Sequence, residues 1–384
     1  MILKQIAEDF LVDELYDIKK FEKKDEGKDY FYFILKKTQY NQLRAIDIVA
    51  SAFNTSKRLV HFAGTKDKHG ITTQVISIIG INEENLQKNI DHINNEIKDI
   101  DVEFIGKFPG RINLGDNLGN KFRITVRGLT QEQIEECPNK LEVMEKNGAL
   151  NYFDSQRFGF ANNSHKIGKY ILQNKPELAV KEILTSMPPS PMEELKIFIE
   201  RVEKEWFLIK TQDEDMIDTL IEICPDNFRD YKNILAHLKK AKNDFPGAFR
   251  TLMKKLRTLY INAYQSHIFN NTIKELMVQG ILADYDKLEL INHFTDFEKV
   301  PAPVMEIVDS ILKQDEVTRD MFQLKSWPEL RPKSTVYREI INRPNNLKIN
   351  EVEDDELNGG MKKVCVDFEL GAGQYATNIV KQLF

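Results

Sequence analysis

The chain has 384 residues, long enough for two or three domains with sizeable cores, and its 41% hydrophobic and 30% charged residues match a soluble globular protein. No apolar run approaches the length of a membrane span, and the opening MILKQIAEDF lacks the apolar stretch of a secretion signal. The net charge of −6 counts by itself against nucleic acid as a partner, although binding needs only a basic face.

The first segment, ILKQIAEDFLVDEL, mixes apolar and acidic residues and reads as a strand. A polar turn is expected over Phe21–Asp29, then an aromatic strand at Tyr30–Leu35 that enters a turn at Lys36–Thr38. Leu43, Ile46, Val49, Ala50 and Phe53 recur at helical spacing and predict a helix over Asn41–Phe53. His61–Thr73 reads as strand, tight loop and strand, continued by Gln74–Ile81. Leu86, Ile90, Ile93 and Ile97 predict a second helix, and Val102–Ile105 a short strand. Gly119–Gly128 alternates Phe122, Ile124 and Val126 with Lys121, Arg123, Thr125 and Arg127, a half-buried strand with one basic face. A helix follows from about Thr130 to Glu145, so the order β, β, α, β, β, α, β, β, α describes an α+β domain.

From Gly159 to Gln279 the chain turns mostly helical, with candidates at Lys169–Leu184, Pro191–Glu205, Asp226–Lys240 and a bent Pro246–Gln279. The run FLIKT after Trp206 reads as a short strand. Strand character returns at Thr335–Ile341 and at Lys363–Leu370, where Val364, Val366, Phe368 and Leu370 keep a period of two. Strands at both ends with helices between them predict one sheet domain interrupted by a large insertion.

In the loop of His61–Thr73, Asp67 lies between Lys66 and Lys68, a setting in which a carboxylate is expected to stay ionised. The plain reading is an exposed, charged hairpin tip. NYFDSQRFG (Asn151–Gly159) packs an amide, three aromatics and Arg157 into nine residues, which suits either a site that stacks a base and bonds its edge or a buried aromatic cluster. In AYQSHIFN, Tyr264, His267 and Ile268 share one helical face and read as packing. GAGQYA (Gly371–Ala376) follows a strand like a dinucleotide-binding turn, but the sequence stops at Phe384, too soon for the βαβ unit and acidic residue such a turn needs. No phosphate-binding loop or nucleophile elbow occurs. Cys137, Cys224 and Cys365 are far apart and no HxxxH pair exists, which argues against zinc and disulfides and fits a reducing cytoplasm.

FAGTKDKHGIT, GNKFRITVRG, NYFDSQRFG, YQSHIFN and FELGAGQYAT occur in this order, and together they resemble the TruD family of pseudouridine synthases from about Lys4 to Thr377. The resemblance implies an α+β pseudouridine-synthase core, with a mixed, mainly antiparallel sheet flanked by helices, over 1–158 and 335–384. It also implies a TruD-type insertion domain, largely helical or α+β, over 159–334. The implied activity is isomerisation of uridine to pseudouridine in tRNA, at position 13, with no cofactor, no metal, no membrane and no obligate protein partner. A catalytically silent tRNA-binding protein of the same fold is the alternative. Asp67 takes the place of the family's catalytic aspartate and Lys4 of the basic residue that accompanies it. Phe10, Asn151, Phe153 and Tyr375 match substrate-binding positions. Lys66, Lys68, Lys121, Arg123, Arg127 and Arg157 are candidates for RNA backbone contacts. Because neighbours along a strand point apart, the partner expected for Asp67 is Lys4 rather than Lys66 or Lys68. Three departures from the family pattern bear on fine geometry: Asp154 in place of glycine, Gln42 in place of threonine, and Gly371-Ala372-Gly373 in place of a proline-bearing turn.

Overall fold

A computed structural model describes residues 1–22 and 27–384. The chain divides into two compact units, Met1–Ala149 with Ile341–Phe384, and Leu150–Ile340. The sequence had suggested breaks at 158/159 and 334/335; with these units, Asn151 and Phe153 belong to the second.

In the first unit, β1 (Phe10–Leu15), β2 (Tyr30–Thr38), β3 (Val60–Phe62), β4 (Ile71–Ile78), β5 (Ile100–Phe108) and β6 (Gly119–Leu129) join the strands Asn345–Asp354 and Lys362–Gly371 in one sheet. Its order is Asn345–Asp354, Lys362–Gly371, β6, β1, β4, β2, β5, with β3 added on β4. Neighbours are antiparallel except β1 and β4, which run parallel with Leu11 opposite Ile71. The alternation of β2 requires cover on both faces. Phe31, Phe33 and Leu35 pack with Ala45, Ile46, Val49, Ile90 and Ile93, contributed by the helices Gln42–Ala52 and Leu86–Glu96. Tyr30 and Tyr32 pack on the opposite side with Phe21, Phe108 and Ile112. On the other half of the sheet, Phe122, Ile124 and Val126 meet Val364, Val366 and Phe368, together with Cys137 and Met144 of the helix Gln131–Asn147 and Ile379 and Leu383 of the helix Ala376–Leu383. Thr130 and Gln133 start Gln131–Asn147 with reciprocal capping bonds.

Several local expectations are corrected here. The turn expected at Lys36–Thr38 is strand, because β2 stays paired with β4 as far as Thr38 opposite Ile71. The opening strand begins only at Phe10; before it the chain is an arm whose Ile2 forms a bridge with Arg127. Phe21 belongs to a short helix, Ile18–Glu22, and residues 23–26 of the expected turn lie outside the described residues.

The basic face expected on β6 is not free. Lys121 stands opposite Asp13 on one side and Glu369 on the other, and Arg123 pairs with Asp367 at 2.7 Å. Arg127 holds an outward position in the alternation yet is buried. Its backbone exchanges hydrogen bonds with Ile2 at 2.7 and 2.9 Å, and its guanidinium meets Asp9 at 2.8 Å and Asp355 at 2.9 Å. It is a structural hub for the amino-terminal arm and not an RNA contact.

The second unit is mainly helical: Ser164–Leu172, Pro176–Leu184, Glu193–Lys204, Trp206–Thr211, Glu214–Ile223, Arg229–Lys240, Phe245–Arg250, Lys254–Val278 and Ala302–Gln314. FLIKT is helical rather than strand, since Trp206 and Ile209, three apart, are both buried. The bent segment is two helices parted after Arg250. Gly168 lets Ser164–Leu172 press on Lys254–Val278: a Cβ there would lie 2.1 Å from the Tyr260 carbonyl oxygen. Beside this crossing His165 stacks on His267 at 4.5 Å between ring centres. Among the described residues, no helix is long and apolar enough to cross a membrane.

Two outcomes follow for stability. Arg127→Met leaves two buried carboxylates without their guanidinium, and denaturant unfolding should show a loss of about 3–5 kcal/mol, against less than about 1 kcal/mol for Arg123→Met at the exposed pair. Equal losses for the two would remove Arg127 as a hub. Burial, reinforced by His267, pulls His165 down to about 4. Between that value and the ordinary 6.5 the unfolded chain binds the extra proton, so stability falls as pH drops through this window. The melting temperature of His165→Gln relative to wild type should therefore rise as pH is lowered from 7 to 4; a constant difference refutes the assignment.

Candidate active site

β1 and β3 lie along the same edge of β4: β1 faces Ile71–Thr73 and β3 faces Ile76–Ile78. Between them, Gln74 and Val75 face no strand on that edge among the described residues. The carboxylate of Glu14 fills the gap. It accepts the Val75 N–H at 3.1 Å and pairs with the ammonium of Lys66, and both side chains are buried. A buried backbone donor and a buried charge thus satisfy one another's needs. Lys66 is thereby committed inward, which corrects its assignment as an RNA contact.

Turning Lys66 inward presents the next residue, Asp67, outward. Its main-chain carbonyl accepts a 2.5 Å bond from the ammonium of Lys37, which also donates to the Tyr40 carbonyl at 2.9 Å. At the end of the loop Gly70 has φ +134°, and a Cβ on it would lie 2.4 Å from the Phe10 carbonyl oxygen, so the close approach to β1 needs glycine. The Asp67 carboxylate meets Lys4 Nζ at 2.8 Å. The aspartate side chain is 41% exposed and the lysine 17%, so the carboxylate is reachable while its partner is mostly covered.

Lys4 arrives in an unusual backbone state. Its φ of 59° is left-handed, a cost of about 1–2 kcal/mol for a residue with a Cβ. The arm is held on both sides of it, by the Ile2–Arg127 bridge and by the Ile6 N–H on Asp9 Oδ2 at 3.0 Å. The ammonium sits 3.9 Å from the centre of the Phe10 ring. Phe10, matched to a substrate contact by resemblance, is buried against Phe122 and serves as the seat of Lys4. The structure therefore brings Lys4, Phe10 and Asp67 together. Lys68 and His69 are exposed on the same loop. Tyr375 is half-buried and heads the helix Ala376–Leu383, just beyond the strand Lys362–Gly371.

In the second unit Asn151 acts as a clasp. Its N–H donates to Ile340 O at 2.8 Å, its Nδ2 to Glu339 O at 2.8 Å, and its Oδ1 accepts from Arg338. Phe153 is buried with the guanidinium of Arg338 4.0 Å and that of Arg157 4.8 Å from its ring centre, and with Phe269 edge-on. Asn270 grips its main chain in both directions, accepting from Phe153 N and donating to Phe153 O at 2.8 and 2.9 Å. Arg157 Nε donates to Ser266 Oγ at 3.0 Å. The amide and ring read as base-contacting are thus engaged within this unit, and YQSHIFN, read as plain packing, supplies the Asn270 and Ser266 that hold them. Asp154 has φ −80°, which any residue adopts, and caps the turn Ser155–Phe158, so it replaces glycine without strain. Gln42 is buried with neither amide atom bonded.

Glu14, Lys37, Asn270 and Arg338 were not singled out from sequence. A signal existed for Lys37, which continues the odd-numbered row Phe31, Phe33 and Leu35, a parity that points into the core. Among the described residues, no group of three or more His, Cys, Asp or Glu is placed to hold a metal ion.

The sequence matches the family described as tRNA pseudouridine synthase D (TruD) over residues 1–287 and 295–383. It is 33% identical to the probable tRNA pseudouridine synthase D 2 of Methanocaldococcus jannaschii, covering 100% of this chain and 92% of that one. It is 28% identical to the tRNA pseudouridine synthase D of Aquifex aeolicus, covering 100% and 97%. The fold matches the crystal structure of the putative tRNA pseudouridine synthase D (TruD) from Methanosarcina mazei with a TM-score of 0.79 and 25% identity, over 99% of this chain and 92% of that one. The motifs, the sheet and these likenesses agree: the chain belongs to the TruD family of tRNA pseudouridine synthases.

Proposed function

We propose that the chain converts uridine to pseudouridine in tRNA, at position 13, through the carboxylate of Asp67 and without a cofactor. The first unit is the catalytic core in this reading and the second is the TruD-type insertion. The observation that carries it is the state of Asp67: an accessible carboxylate on a loop anchored by buried Lys37 and Lys66, oriented by Lys4 at 2.8 Å. Position 13 rests on the family resemblance alone.

The reaction is an isomerisation. The N1–C1′ bond breaks and a C5–C1′ bond forms, while C5 loses a proton and N1 gains one. An ionised carboxylate serves it as a nucleophile at the sugar, as a nucleophile at the ring, or as a base that deprotonates the ribose. Lys4 fixes the carboxylate's direction in each case. The target uridine must first leave the RNA stack, at a cost of a few kcal/mol. The ring of Tyr375 is the aromatic of the first unit proposed to meet it, a stacking contact worth ~1–3 kcal/mol. Lys68, exposed on the loop of Asp67, is the proposed phosphate contact.

Asp67→Asn, assayed on an unmodified tRNA transcript, should lower pseudouridine formation by at least about 10²-fold. Appreciable turnover by this variant removes Asp67 from the chemistry. Lys4→Met should lower kcat by about 10²-fold through misorientation of the carboxylate, and wild-type kcat there sinks the orienting role. Mapping pseudouridine in the treated transcript checks the position, and multiple turnover excludes a protein that only binds tRNA. Affinity for tRNA should weaken as salt rises; affinity independent of salt contradicts the phosphate contact.

A further inference from the structure

Lys37 is a lysine in a core row. It is 1% exposed, stands on β2 in register with Thr72 of β4 and Ile100 of β5, and shares the parity of Phe31, Phe33 and Leu35. Burying an ammonium is costly unless each of its protons is used. Here the chain directs two of them to main-chain carbonyls, those of Tyr40 and Asp67. Neither is a carboxylate, so the side chain bonds two neutral acceptors while carrying a full charge beneath the loop. Its register partners, Thr72 and Ile100, are not ionisable, and the charges that act on it are those of Asp67, which favours the ammonium, and Lys66, which opposes it.

We infer that Lys37 is a positioning residue for the reaction: it fixes the main chain of Asp67 from below and supplies a buried positive charge to the same residue whose carboxylate Lys4 holds from above. This inference rests on the reading of Asp67 as the reacting group. Two lysines of different kinds then address one aspartate. Lys4 acts on the side chain from a partly exposed arm, and Lys37 acts on the backbone from inside the sheet. The arrangement separates aiming the carboxylate from fixing the point it is aimed from. Burial pushes the Lys37 ammonium down to about 8, against the pull of Asp67. The charge is therefore present at neutral pH and is lost as pH rises through that value.

The test compares wild type, Lys37→Met and Asp67→Asn on unmodified tRNA transcript between pH 6.5 and 9.5. Lys37→Met should lower kcat at pH 7 at least tenfold with KM for tRNA changed less than threefold. Wild-type kcat should fall along an alkaline limb near pH 8, and Lys37→Met should lack that limb, which a merely structural defect would not erase. Lys37→Gln, which keeps a donor but no charge, is read in the same way if the methionine variant fails to melt cooperatively. A wild-type profile flat to pH 9.5, or a folded Lys37 variant with wild-type kcat, overturns the inference. Inactive Asp67→Asn beside a fully active Lys37→Met refutes the role of Lys37 alone, whereas an active Asp67→Asn refutes the reading on which it stands.

Discussion

The carboxylate of Glu14 holds the sheet and the loop of Asp67 to a single geometry. Where β1 leaves β4 and β3 has not yet joined it, the Val75 N–H would otherwise be buried without an acceptor. Glu14 accepts it, and the resulting buried negative charge demands a cation, which Lys66 provides from the loop. A gap in a β-ladder is in this way converted into a fixed side-chain direction in the next segment. With Lys66 held inward, the carboxylate of the next residue, Asp67, stands 41% exposed. A pair of this kind contributes little net stability, since desolvation offsets the attraction, but losing one partner is costly. Its value lies in specifying one arrangement of the loop.

Several of the basic side chains nearest the sheet and the loop of Asp67 are engaged internally. Arg127 joins the amino-terminal arm to Asp9 and Asp355, Lys66 anchors the loop, and Lys37 lies under it. On the β6 face the remaining cations are matched across strands by Asp13, Asp367 and Glu369. Counting lysines and arginines by sequence segment therefore overstates the positive field available to a polyanion. Beside Asp67, buried Lys37 and Lys66 lie under the loop and exposed Lys68 lies on it.

The regular elements were legible where one physical rule dominated. The helices starting near Asn41 and Leu86 showed in their three-four apolar spacing, and Lys362–Gly371 in its strict alternation. The strand Asn345–Asp354 escaped notice because it is an edge with a mostly polar, exposed pattern, and FLIKT misled because its β-branched and aromatic composition favoured strand while burial of Trp206 and Ile209 favoured helix. Asp67 was legible from its motif. Lys4 was expected as its partner and meets it at 2.8 Å, but the Ile2–Arg127 bridge that holds the arm, and the anchors Glu14 and Lys37, were not legible, because each depends on chain segments remote in sequence. Arg127 was misread for the same reason: alternation gives the face of a residue but not what covers that face. Asn151 and Phe153 were read by residue type, whereas their hydrogen bonds to Ile340, Glu339 and Asn270 depend on chain segments remote in sequence.

The clasp at Asn151 also bears on how the chain assembles. β6 must pair with Lys362–Gly371, and the whole of the second unit lies between them in sequence. Closing so long an open segment delays a sheet, because the entropy is lost before the contacts are gained. Once the second unit has folded, Asn151 and Ile340 are a hydrogen bond apart, and the intervening chain acts as a short, closed connection. During synthesis this unit emerges in full before the last strands of the first. The second unit is then a preformed turn, on which the final strands of the first unit's sheet find their partner as a hairpin would.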